Sequence, residues 1–164
     1  MPQAIISTNK LKVTKQIKDG ICYLAYSGDI DEDYVYDELL KDKQTKYLID
    51  FNEIEMINSC GIREWIGFIE KLGPEARIIY INCPQIIVQQ INMVEGFMTP
   101  NSYVHSFFAP YYCEELDLEK KILLKAEDVV DFKAPVVHHE GHEMEFDAHE
   151  KQYFHFLTLQ RKPF

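Results

Sequence analysis

The sequence predicts an α/β fold: a mixed, largely parallel sheet carrying helices, followed by a small β-rich C-terminal appendage. Three observations predict it. Short apolar runs alternate with amphipathic helical patterns between residues 46 and 108, the order that gives parallel strands joined by helical crossovers. Asp19-Gly20 separates two strand-like runs, which adds an antiparallel hairpin at the start. After Pro110 the character of the chain changes to acidic, His-rich and aromatic stretches.

The elements follow in order. Leu11, Val13 and Ile17 alternate with polar residues, and Ile21 to Ser27 pairs back across Asp19-Gly20. Gly28-Asp29-Ile30-Asp31 leaves that strand, and Asp31 is placed to cap a helix over 31–41, with Val35/Leu39 and Tyr36/Leu40 spaced four apart. Tyr47 to Phe51 reads as a buried strand. A helix over 59–72 starts at Asn58 or Ser59, buries Ile62, Trp65, Ile66, Ile69 and Leu72, and stops at Gly73-Pro74. Arg77 to Ile81 is the next strand, and Pro84 opens a helix over 84–95 with Ile87, Ile91 and Val94 inward. Val104 to Phe108 closes this block, so the boundaries are 1–109 for the α/β domain and 110–164 for the appendage. Within the appendage, Lys121 to Lys125 reads as a strand. The aromatic run 153–159 reads as another, paired inside the appendage or against a second copy in a homodimer.

Composition narrows the function. With 46% hydrophobic and 27% charged residues, the chain can bury a core. Its net charge of −10 disfavours nucleic acid and an anionic membrane surface, since both need cations. The N-terminus carries no signal-peptide pattern, and no stretch has the length of a membrane helix. Cys22, Cys60, Cys83 and Cys113 form no C-x-x-C pair and no disulfide framework, which fits a reducing cytoplasm.

The segment Leu48-Ile49-Asp50-Phe51, Ile54 and Met56-Ile57-Asn58-Ser59-Cys60-Gly61-Ile62 resembles the signature of the STAS domain (sulfate transporter and anti-sigma factor antagonist). Gly28-Asp29-Ile30-Asp31 matches that family's step out of its early hairpin. The resemblance spans about residues 10–108. It implies a cytoplasmic, non-enzymatic signalling module that binds a protein partner, an anti-sigma-like kinase or another regulator, and it implies phosphorylation of Ser59. The family's preceding Asp is Asn58 here and its second Ser is Cys60. The partner surface implied is Asn58, Ser59, Cys60, Arg63 and Glu64. A phosphate at a helix start adds about −1.5 to −2 charge to a docking face and is favoured by the helix dipole. The plain alternative is that Asn58 and Ser59 only cap the helix.

The appendage is similar to a ribbon that, in some small bacterial STAS-like proteins, carries two C-x-x-C pairs before Met-Glu-Phe-Asp. Here the four positions are Cys113, Leu116, Val137 and Glu140, ahead of Met144-Glu145-Phe146-Asp147. Three lack a thiol or imidazole, so no zinc is expected. Cys113, His138, His139 and His142 are the weak metal candidates, and a metal-binding protein is one alternative function. A small-ligand sensor with its pocket at the start of the Ser59 helix is another. No Gly-x-Ser-x-Gly elbow, phosphate loop or dinucleotide fingerprint is present, so neither catalysis nor a cofactor is expected.

Overall fold

The computed structural model describes residues 2–160. Its larger sheet runs β1 (Gln3–Ser7), β2 (Leu11–Lys18), β3 (Ile21–Ile30), β4 (Lys46–Ile57), β5 (Arg77–Ile81) and β6 (Ser102–Val104), in that spatial order. The first three are antiparallel neighbours and β3 to β6 are parallel. The α/β class with a mixed, largely parallel sheet therefore stands. Because the parallel strands advance in one direction, right-handed crossovers place every connection on the same face. Those connections are the 31–45 loop, α1 (Ser59–Leu72) and α2 (Gln85–Met93).

The core forms on that face. Trp65 of α1 meets Tyr26, Phe51 and Phe97 at ring-centroid distances of 5.4, 5.1 and 5.7 Å. Ile87, Val88 and Ile91 of α2 join the same buried cluster as Ile49, Ile78 and Val104. Among the described residues, no helix is long and apolar enough to cross a membrane.

A second, antiparallel sheet runs β8 (Leu118–Lys125), β7 (Ser106–Cys113), β10 (His142–Phe146) and β9 (Val137–His139). The chain changes sheets at His105, so the single strand expected over 104–108 is two. Pro110 lies inside β7, where its carbonyl accepts from the Asp147 N–H at 2.9 Å.

Two expected elements are corrected. Instead of a helix over 31–41 there is only a 3-10 turn at Asp37–Leu40. Tyr34 and Tyr36 are buried while Val35 between them is 60% exposed, a period-two pattern that an α-helix cannot satisfy. Both rings pack on Phe68, and Asp31 folds back to accept the Asp33 N–H at 2.9 Å. The expected strand at 153–159 is two short helical turns, α3 (Glu150–Tyr153) and α4 (Phe156–Leu159). Tyr153, Phe154 and Phe156 all surround Phe107 of β7, and an alternating strand could not turn these three to one side. The segment is thus covered within the chain. β1, which no sequence signal marked, is an edge strand of the larger sheet.

Candidate functional site

The motif around Ser59 is built by two close approaches. β4 continues six residues past Phe51, alongside β3 only, and delivers Ile57 next to Ile30. There α1 starts so near β3 that a Cβ on Gly61 would lie 2.1 Å from the Ile30 carbonyl oxygen. Gly28, with φ of 103°, is pressed equally hard: a Cβ would lie 1.9 Å from the Lys10 carbonyl oxygen. The two glycines of the motif are therefore required by packing.

Asn58 caps the helix. Its Oδ1 accepts the Gly61 N–H at 2.8 Å and its backbone N–H donates to Ile30 O at 3.2 Å. Its Nδ2 donates to Glu32 Oε2 at 3.0 Å, which is the first cause holding the Glu32 carboxyl below its ordinary range. Asp31 beside it is buried, with Lys10 Nζ 3.8 Å from its Oδ2. Ser59 occupies the first helical position and is exposed. Among the described residues no hydrogen bond engages its hydroxyl. The N–H groups of Ser59 and Cys60 have no intrahelical acceptor and supply the positive end of the helix dipole. Cys60 is half-buried. One turn on, Arg63 is exposed, and its Nε lies 3.8 Å from Glu64 Oε1.

The expected surface residues Asn58, Ser59, Cys60, Arg63 and Glu64 thus share the first turns of α1. The sequence reading missed Glu32, whose only signal was its place directly after Gly28-Asp29-Ile30-Asp31. It missed as well the reason for Gly61.

The metal candidates lie elsewhere. Cys113 ends β7 buried, with Sγ donating to Glu115 Oε2 at 3.6 Å. His142 Nδ1 stands 3.8 Å from the same oxygen. His139 and His142 are cross-strand partners, and His138 faces Glu143. Among the described residues, no three His, Cys, Asp or Glu side chains are arranged to hold a metal ion. Of four cavities of about 330–620 Å³, two border α2, one borders the second sheet and one lies between residues 131–133 and 148–151; none includes residues 58–64. The largest of the four lies between Ile91–Pro100 and His155 and Leu159. That is the C-terminal end of α2, at the opposite end of the parallel strands from Ser59.

No family model matches the chain, and no curated protein does. Among solved structures, it is similar to an anti-sigma factor antagonist from Mycobacterium paratuberculosis. The identity is 21%, covering 54% of this chain and 81% of that one, with a TM-score of 0.43. A likeness that loose carries no residue role across.

Proposed function

We propose that the protein is a non-enzymatic regulatory module that docks a protein partner through the start of α1, with Ser59 as its phosphorylation switch. One observation carries this reading: capping is done by Asn58, which leaves an exposed Ser59 hydroxyl with no structural duty at a helix N-terminus. A capping Ser would be engaged with the backbone. The motif resemblance given above supplies the partner class, an anti-sigma-like kinase or another regulator, and the cytoplasmic setting.

Phosphorylation there fits the electrostatics. A phosphoryl group would sit beside the unpaired Ser59 and Cys60 N–H groups, which tolerate its charge. It would also change the sign balance of a face that already carries Glu32 and Glu64 and offers Arg63. Docking is thereby altered while the helix stays folded. The test is phosphoprotein mass spectrometry on protein from its native cell, read with partner capture by wild type, Ser59→Ala and Ser59→Asp. Expected are a phosphate on Ser59, capture kept in Ser59→Ala and weakened in Ser59→Asp. Unphosphorylated Ser59 in every growth condition, with equal capture by all three, would overturn the reading.

A further inference from the structure

Arg63 stands one turn beyond Ser59 on α1. At about 100° per residue the two positions lie about 40° apart around the helix, while Glu64 is about 140° from Ser59 and stands over Cys60 instead. Helical side chains lean toward the N-terminus, so the patch that Arg63 covers includes Ser59. A pair at this spacing has its Cβ atoms about 5–6 Å apart, within reach of a guanidinium on one residue and a phosphoryl group on the other. Residues 59–66, the first two turns, hold no other cation.

That guanidinium is poorly held. It is 76% exposed, and its Nε lies 3.8 Å from Glu64 Oε1, beyond hydrogen-bond range. Adjacent helical residues do not face each other, so the contact gains little. Among the described residues, its two terminal nitrogens engage no other group. The other charges close to Ser59 are committed. Glu32 is held by Asn58 Nδ2 at 3.0 Å, and Lys10 Nζ stands 3.8 Å from Oδ2 of the buried Asp31. Glu32 would repel a phosphate, and drawing Lys10 to one would leave the Asp31 charge buried and unpaired, which is costly. Arg63 turns toward Ser59 at small cost.

We infer that Arg63 is the internal ligand of a phosphoryl group on Ser59, turning from Glu64 to pair with two of its oxygens. The inference rests on Ser59 being the modified residue. A planar guanidinium fits two phosphate oxygens at once, which a lysine ammonium does not. Phosphorylation then adds negative charge and also removes from the docking face the cation that an acidic group on the partner would meet.

The full chain with phosphoserine installed at Ser59 during translation tests this without a kinase or a partner. Its outcome is therefore separate from whether Ser59 is modified in the cell. The second phosphate proton, which ordinarily titrates at about pH 6, is followed by phosphorus NMR at low ionic strength. Arg63→Gln is expected to raise the titration midpoint by about half a pH unit, the scale of one charge at contact distance near a protein surface. Arg63→Lys, which keeps the charge but not the fork, should fall between the two. Lys10→Gln should move the midpoint less than Arg63→Gln does. Circular dichroism checks that each variant is folded. An equal or lower midpoint in Arg63→Gln overturns the proposal. So does a change on Lys10→Gln as large as that on Arg63→Gln.

Discussion

Asn58 joins Glu32 across 26 residues of chain: its amide Nδ2 donates to Glu32 Oε2 at 3.0 Å while Oδ1 holds the Gly61 N–H. One side chain thus fixes the start of α1 to the loop that leaves β3. Asn58→Ala removes the cap and the tether together and is expected to lower stability by about 0.5–2 kcal/mol, at the upper end of what caps contribute. Ser59→Ala removes no hydrogen bond and should stay within about 0.5 kcal/mol of wild type, as exposed substitutions do. Urea unfolding of the two variants side by side measures the contrast. Equal losses would mean that Ser59 shares the capping.

Gly61 has no room for a side chain. A methyl group at this position must displace the Ile30 carbonyl, which is backbone and cannot rotate away. Gly61→Ala is expected to destabilise by about 1–3 kcal/mol through overpacking, although alanine is the better helix former. A denaturation midpoint above that of wild type would show that α1 can move off β3.

Much of the sheet and of α1 was legible because local signals and packing agree there. Asn58-Ser59 and Gly73-Pro74 bracket the helix, and Asp19-Gly20 fixes the hairpin register from Leu11↔Gly28 to Lys18↔Ile21. Segments 47–51 and 77–81 are neighbouring parallel strands, as their apolar runs implied. Where the reading failed, aromatic side chains decided the backbone. Val35 and Leu39 have helical spacing, but burying Tyr34 and Tyr36 against Trp65 and Phe68 outweighs a marginal helix. Similarly, Tyr153-Phe154-His155-Phe156 has strand composition, and the shape of the hole around Phe107 makes it helical. The Asn58–Glu32 bond arises from tertiary placement, which spacing along a chain does not encode.

Phe154 links the terminal turns to the second sheet. It is fully buried, stacked on Phe146 at 5.0 Å and edge-on to Phe107 at 6.0 Å. Phe154→Ala should cost about 3–5 kcal/mol. Truncation at Glu150 strips Tyr153, Phe154 and Phe156 together, exposing Phe107 and Phe146, and should cause aggregation. Light scattering on the truncated chain checks this; a clear, monodisperse solution would mean that the second sheet closes over its own aromatic face.

The buried tyrosines give the last expectation, an alkaline limit to stability. Tyr26 and Tyr34 are fully buried with their hydroxyls 2.8 Å apart. Burial is the first cause pushing both above the ordinary value of 10.0, and it acts the same way on Tyr80 and Tyr153. Tyr111 is pushed up to about 12. The sign follows from which state holds the proton. Near pH 10 the unfolded chain releases phenolic protons that the folded chain retains, so stability falls as pH rises. The contribution is therefore complete below pH 10 and is lost as pH climbs through the folded values. Burial raises the Cys22 and Cys83 thiols from 9.0 in the same way, so the urea midpoint should begin to fall above about pH 8.5 and then drop steeply toward pH 12, the ordinary tyrosine value lying near 10. Tyr26→Phe alone strands the buried Tyr34 hydroxyl and should cost about 1–3 kcal/mol at pH 8. Replacing both by Phe removes the pair, should restore much of that loss, and should shallow the alkaline decline. A double variant with an alkaline limb as steep as that of wild type would assign the decline to Cys22, Cys83, Tyr80, Tyr111 and Tyr153 instead.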